Sequence, residues 1–379
     1  MSMILNDEQR MLQKTAREFV AEHAPVAHLR ELRDEGDATG FSRGLWKQMA
    51  ELGWAGIALP EVYGGSELGY AELGVVFEEC GRTLAPTPLL STVVLGAEVL
   101  LRAGSEPQQA ELLPGVCSGD GILALAFQEA GRFAPYRVAT KVTATADGHR
   151  LDGEKCFVVD GHVADRLIVV ARSSGGEAER DGLSLFLVDP AAPGVEITRT
   201  IMADSRNAAR VVFDGVTVGE EATLGRVGAA ADTLDAVFDR ATLALCAEML
   251  GLASEAFERT VAYLKTREQF GAKIGSFQAL KHRAATMFCD LELARSITLD
   301  GLRAIDEGRE ELPSLVSAAK ARLADTAALV TCEAIQMHGG IGMTDEEEIG
   351  FFLKRARTAE LFLGDATYHR DRFARLQGF

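Results

Sequence analysis

Apolar positions in the first third of the chain recur with a helical period. Leu5, Leu12, Ala16, Phe19 and Val20 keep one stripe, Leu45, Met49 and Leu52 a second, and Leu73, Val76, Phe77, Cys80 and Leu84 a third. The Pro/Gly-punctuated stretch LPEVYGGSELGY separates the last two and reads as a loop. From about residue 120 the pattern changes to short runs rich in β-branched and aromatic residues: VATKVTAT, CFVV, RLIVVA, LSLFLV and ARVVFDGVTV. Gly, Asp and Pro separate these runs and no long helix intervenes, which predicts an antiparallel β-barrel or sandwich. Within this block SSGGEAERDG (173–182) reads as an exposed loop. Helical patterning returns at 227. Ala229 to Arg267 contains no proline, and Leu234, Phe238, Leu245, Leu252 and Phe257 recur at helical spacing, predicting a helix of roughly 55 Å. Further helices fit 276–307 and 312–338. The expected fold is therefore α+β and multidomain: an N-terminal helical domain (1–119), a central antiparallel β-barrel/sandwich domain (120–226) and a C-terminal four-helix-bundle domain (227–379).

One glycine cluster stands out against this pattern. QMHGGIGMT follows the helix predicted for 312–338, in which Leu315, Ala319, Leu323, Ala327, Val330 and Ala334 share a face. A dinucleotide-binding glycine loop follows a strand and opens a helix, so this is not a Rossmann turn. The local chemistry predicts a helix end, with Gly339 or Gly340 in the left-handed cap conformation. A new helix is expected near Thr344 or Asp345, where Thr344 and Glu347 have capping-box spacing. Glycines there also let a ligand touch the backbone.

Composition narrows the function. The 379 residues carry a formal net charge of -17 with no basic tract, which argues against a nucleic-acid partner. No apolar run approaches the roughly 20 residues of a membrane span, and MSMILNDEQRMLQKTAREF lacks the features of a signal peptide. The six cysteines are scattered without a CxxC pair, as in reduced thiols, and the seven histidines show no metal-ligand spacing. These features predict a cytoplasmic protein without a metal site.

The stretch RxxFGxxIxxFQ within YLKTREQFGAKIGSFQ (263–278), followed some sixty residues later by QMHGGIGMT, resembles the acyl-CoA dehydrogenase family of flavoproteins. The order of helical, β and helical blocks is similar too, and the likeness runs along essentially the whole chain. Within the family, DGEKCFVVDGHVADRLIVVAR, DGLSLFLVDPAAPGV and LFLGDATYHRDR look most like pimeloyl-CoA dehydrogenase small-subunit-like proteins. The resemblance implies FAD shared across a subunit interface, a homo- or heterotetramer, an acyl-CoA substrate and electron transfer to an electron-transfer flavoprotein. It points to dicarboxylyl, branched or polycyclic acyl chains. By the same resemblance Arg267, Gln269, Phe270 and Gln278 hold the pyrophosphate and adenosine of a neighbouring protomer's FAD, and Gln336, Gly339 and Gly340 meet the nucleotide from the other side. An Arg fork suits a diphosphate because it makes paired charged hydrogen bonds.

The sequence departs from the family where the chemistry is done. A carboxylate takes the α-proton, the β-hydrogen goes to flavin N5, and hydrogen-bond donors stabilise the enolate oxygen. The usual base is a Glu before a Gly near the C-terminus, and here TAELFLGD places Leu363 before Gly364. The Leu363 backbone N–H still serves as donor to the thioester oxygen. A second family location falls in AVFDRATLA, which makes Asp239 the candidate base and Arg240 a substrate-binding neighbour. Aspartate is shorter than glutamate by about 1.5 Å. Glu360 and Asp365 stay open as alternatives, although Asp365 with Thr367 aligns with flavin contacts. In the first flavin loop AFQEAGRFAPYR puts Gln128 and Glu129 where the family has Thr and Glu. In the second, KCFVVD gives Phe157 to pack on the ring and Val159 in place of a hydroxyl donor. These departures support a second expectation, a non-catalytic partner subunit of a heterotetrameric acyl-CoA dehydrogenase.

Overall fold

The computed structural model describes residues 4–379. In chain order the helices are α1 (Asp7–His23), α2 (Val26–Asp34), α3 (Arg43–Glu51), α4 (Tyr70–Thr83), α5 (Glu98–Ala103), α6 (Glu106–Ser118), α7 (Ala231–Thr266), α8 (Gln278–Asp306), α9 (Leu312–His338), α10 (Ile349–Leu361) and α11 (Ala366–Leu376). The strands are β1 (Leu123–Ala126), β2 (Lys141–Thr145), β3 (Gly148–Val159), β4 (Arg166–Arg172), β5 (Leu183–Val188), β6 (Val195–Ile201), β7 (Asn207–Val218) and β8 (Thr223–Leu224), with a small hairpin of β9 (Glu268–Gln269) and β10 (Ala272–Lys273). They form two compact units. One joins the N-terminal segment to Asp34 with Gly69–Ala85 and Thr242–Phe379; the other comprises Glu35–Leu68 and Pro86–Ala241. The boundary between Ala241 and Thr242 falls within α7.

In the second unit the strands β1–β8 form one eight-stranded sheet in the order β6-β7-β3-β2-β4-β5-β8, with β1 also beside β4. The sheet is not closed into a barrel, and it is not wholly antiparallel: β1 pairs parallel with β4. A parallel pair needs a long crossover, and here the β2–β3 hairpin region supplies it between Ala126 and Arg166. Leu151, Val158, Leu167, Val169, Phe186, Val211 and Phe213 pack as its core. The segment 173–182 is an exposed loop, as expected, but it is not loose. The Arg172 guanidinium, itself buried, donates to the carbonyls of Tyr136, Val138, Ser174, Glu177, Glu179 and Asp181.

The first unit is all helix apart from the β9–β10 hairpin. Asn6 and Gln9 form a capping box that starts α1. Helices α4 and α7 cross at backbone distance. A Cβ on Gly81 would lie 2.2 Å from the Glu248 carbonyl oxygen, and one on Gly251 would lie 1.8 Å from that of Glu78. Only glycine allows this approach from both sides. Helix α9 packs against α8, α10 and α11.

Two local expectations change. Gly339 ends α9 with φ +68° and ψ −143°, a region open to glycine but not the left-handed cap. Helix α10 starts at Ile349 rather than near Thr344. The Thr344 hydroxyl donates back to the Ile341 carbonyl, and the Asp345 carboxylate is taken by Arg30 and Arg33, so neither caps a helix there. Among the described residues no helix is long and apolar enough to cross a membrane.

Candidate flavin and acyl-CoA site

In the sheet unit, the first candidate loop is pinned from beneath. The Lys155 ammonium, fully buried on β3, donates to the Glu129 carboxylate at 2.5 Å. That carboxylate also accepts from the Ala139 and Thr140 amides, so one side chain closes the loop from 129 to 140. Burial pulls the Lys155 ammonium down to about 8. Burial also opposes ionisation of Glu129, but the charge and hydrogen bond of Lys155 outweigh it and hold the carboxyl below its ordinary value. The Gln128 carbonyl accepts from the Cys156 amide at 2.8 Å, which brings Gln128 beside Phe157 along the chain.

Phe157 is not an ordinary strand residue. The β3–β7 register shifts between Lys155 and Val158, and Phe157 in this bulge has φ +52°. A bulge re-aims a side chain, and a bulky residue in the left-handed region costs roughly 1–3 kcal/mol. The ring is half-buried, while Val159 returns to the core as a buried aliphatic with no donor.

Asp239 and Arg240 lie early in α7. Phe238 beside them contacts Phe127 and Phe133, and the Tyr136 hydroxyl donates to Asp235 at 2.7 Å, so this turn and the first loop are one packed feature. Asp239 is only 6% exposed, unlike a solvated helical acid. The Arg240 guanidinium lies 2.9 Å from the Glu98 carboxylate of α5, which also accepts from Arg102 at 2.6 Å. Arg240 thus shares one carboxylate with Arg102.

In the helical unit, the candidate nucleotide residues are presented outward. Arg267, Gln269, Phe270 and Gln278 are all exposed. Phe270 and Gly271 form the tight turn of the β9–β10 hairpin, both with positive φ, and the Phe270 ring is 93% exposed. Arg267 makes no side-chain hydrogen bond or ion pair with the described residues. Nearby, His338 stacks on Tyr263 with ring centroids 4.5 Å apart, which ties the end of α9 to the end of α7. Gln336, Gly339 and Gly340 are exposed, and a Cβ at either glycine would meet nothing within 4 Å. Packing within the chain does not call for glycine at Gly340.

The turn that carries Leu363 is built differently. Leu363 is fully buried with φ +59°. Its carbonyl accepts from His369 Nε2 at 2.9 Å. The Asp365 side chain accepts from the Tyr368 amide and starts α11, so the expected flavin contact is also a helix cap; Thr367 is exposed in the same turn.

Most of the chain matches known domains in sequence. Residues 6–120 match the acyl-CoA dehydrogenase N-terminal domain, 128–216 the middle domain and 232–377 the C-terminal domain. The chain belongs to the acyl-CoA dehydrogenase family. It is 32% identical to isovaleryl-CoA dehydrogenase of Pongo abelii over 97% of this chain and 88% of that one. It is equally 32% identical to acyl-CoA dehydrogenase IpdE2 of Mycolicibacterium smegmatis, over 98% and 99%. The ChsE4-ChsE5 complex from Mycobacterium tuberculosis contains a chain of similar structure, with TM-score 0.89, 28% identity and coverage of 100% and 99%.

The family's three-part architecture is the one expected from sequence, save that the sheet is open. As a family member this acyl-CoA dehydrogenase is an FAD-dependent oxidoreductase acting on acyl-CoA thioesters. Its residues fit a flavin nucleotide: an unpaired exposed guanidinium at Arg267, open space over Gly339 and Gly340, and an aromatic re-aimed by a bulge at Phe157. Sequence reasoning passed over Lys155, Glu98 and Lys320. Lys320 had a visible signal, since it falls on the apolar face of α9 with Val316, Leu323 and Ala327.

Proposed function

We propose that this chain is a catalytic acyl-CoA dehydrogenase subunit in which Asp239 takes the α-proton and the Leu363 N–H donates to the thioester oxygen. Bound FAD supplies the acceptor for the β-hydrogen. Gln128, Phe157 and Val159 are the flavin contacts offered by the sheet unit, and Asp365 and Thr367 are those offered by the helical unit. Arg267, Gln269, Phe270 and Gln278 hold the nucleotide of a second copy, met also by Gln336, Gly339 and Gly340. Arg240 stands next to the base on the substrate side and is paired with Glu98. Electrons leave to an electron-transfer flavoprotein, the assembly is a tetramer, and the compartment is the cytoplasm, in keeping with six free cysteines.

The observation that carries this reading is the burial of Asp239. A carboxylate withdrawn from water, at the family's alternative base position and packed beside the first flavin loop, has the setting a general base needs. Anaerobic titration of the holoenzyme with a panel of acyl-CoAs, followed by the flavin spectrum, tests it. Some thioester bleaches the flavin, and Asp239→Asn slows that bleaching by roughly 10²–10⁴-fold. An Asn variant reduced as fast as the wild type would remove Asp239 from the mechanism.

Leu363 favours a second reading, a partner subunit without its own chemistry, because the position before Gly364 offers no acid. The ChsE4-ChsE5 complex joins two different chains. If the chain binds FAD that no thioester reduces, and co-purifies with a homologous chain, this second reading replaces the first.

A further inference from the structure

We propose that Lys320 polarises the peptide group joining Phe362 to Leu363, and so strengthens the Leu363 N–H as a donor to the thioester oxygen. The inference rests on the assignment of that N–H made above and deepens it.

Lys320 projects from α9 and is fully buried. An ammonium has three N–H donors and accepts nothing. Here all three are used on backbone carbonyls of one turn: Glu360 at 2.9 Å, Phe362 at 2.9 Å and Gly364 at 2.7 Å. No carboxylate of the described residues lies within ion-pair distance of it. A buried cation held only by carbonyls is a costly way to finish a helix, when a glycine cap or water meets the same need at little cost. The turn is also held by His369, whose Nε2–H donates to the Leu363 carbonyl. Together the two side chains fix the strained φ of Leu363, a conformation that persists only where its surroundings over-determine it.

The geometry has an electronic side. The Phe362 carbonyl and the Leu363 N–H belong to the same amide. A charged donor on the oxygen draws electron density through the amide and leaves the nitrogen's proton a stronger donor, the cooperative effect seen along hydrogen-bonded chains. Lys320 therefore acts through Leu363 as a positioning and polarising residue, at second hand from the substrate. The groups facing it are Cys246 from α7, Glu360 at the end of α10, and Asp365 and His369 at the start of α11. Burial, the largest influence, pulls the ammonium down to about 8 against the opposing pull of Cys246, Glu360 and Asp365. The charge is thus present at neutral pH and lost as pH rises through about 8.

Loss of a whole oxyanion donor costs about 10²–10³ in kcat. The Lys320 charge strengthens that donor at second hand, by the roughly 10–30% of a cooperative chain, so its loss should cost a small part of that, roughly two- to eightfold. The test uses the holoenzyme with trans-2-octenoyl-CoA carrying ¹³C at its thioester carbonyl, read by isotope-edited infrared difference spectroscopy. In the wild type at pH 7 the carbonyl stretch falls on binding. In Lys320→Met the fall is smaller, and kcat for the best substrate drops roughly two- to eightfold with KM little changed. A merely structural lysine would not move the carbonyl frequency. Should the Met variant not fold, the wild type itself decides: the downshift shrinks between pH 7 and 9.5. A full downshift in Lys320→Met, or one unchanged to pH 9.5, overturns the role of Lys320 while leaving the Leu363 assignment standing. No downshift in the wild type overturns both.

Discussion

Asp160 gives the most quantitative prediction. It follows Val159 in the second loop, has φ +55°, and is buried. Its carboxylate accepts from the Ser91 hydroxyl at 2.6 Å. Burial raises its carboxyl from 3.8 to about 6, against the weaker opposing effects of Ser91 and Arg206. The fold therefore binds this proton more tightly than the unfolded chain does. Stability falls as pH rises from about 4 through 6 and stays reduced above that. The displacement amounts to about 3 kcal/mol against the ionised form at neutral pH. Asp160→Asn removes that charge, keeps an oxygen for the Ser91 hydroxyl, and suits a left-handed φ better than most residues. Its two new N–H groups enter a buried site, which takes back about 1–2 kcal/mol. The net gain at pH 8 is about 1–2 kcal/mol, or roughly 2–8 °C in the thermal midpoint of a unit this size. Scanning calorimetry of both proteins at pH 4, 6 and 8 and constant ionic strength measures it. At pH 4 the gain should vanish or reverse, since the wild-type carboxyl is already protonated in the fold. An equal gain at pH 4 and pH 8, or none at pH 8, would refute the argument that a desolvated charge is responsible.

Other substitutions probe other parts of the chain. Lys155→Met strands the Glu129 carboxylate with only two backbone donors and should cost about 3 kcal/mol, the lower end for a broken buried pair. The Lys155→Met/Glu129→Gln double variant should recover most of it in a thermal or denaturant cycle, and additive losses would count against a coupled pair. Gly340→Ala meets open space, so the apoprotein midpoint should stay within about 0.5 kcal/mol of wild type. FAD affinity, measured by fluorescence titration, should nevertheless fall, and an unchanged affinity would leave this glycine without a nucleotide role. Gly251→Ala, by contrast, pushes a methyl into the Glu78 carbonyl and should unfold the helical unit at lower temperature, read by circular dichroism, without any cofactor present.

Much of the fold was legible because apolar periodicity is a local signal. Leu312–His338 is a helix over the span the pattern predicts, and α7 runs almost the full proline-free stretch. What was not legible depended on partners distant in sequence. The parallel β1–β4 pair has no local signature, because strand direction is set by the crossover and not by the residues in the strand. Thr344 and Glu347 had the right spacing for a cap, but Arg30 and Arg33 claimed the Asp345 carboxylate more than 300 residues away. At the candidate site, residue identities could be matched one by one, whereas the bulge that turns Phe157 and the pairing of Arg240 with Glu98 are tertiary facts. Lys320 lay between these cases: its place in an apolar stripe was visible, but its three carbonyl partners were not.

The outward-facing candidate nucleotide residues carry an evolutionary consequence. Arg267 makes no side-chain bond with the described residues, Phe270 is 93% exposed and meets only the edge of Phe277, and Gly340 borders empty space, so the folded chain gains little from their identity. At these three positions selection on folding and selection on cofactor binding are separable, unlike at Asp365, which also caps α11. After a gene duplication one copy can drift at these exposed positions without loss of folding stability in its own chain. A scaffold arranged this way is predisposed to split into specialised subunits.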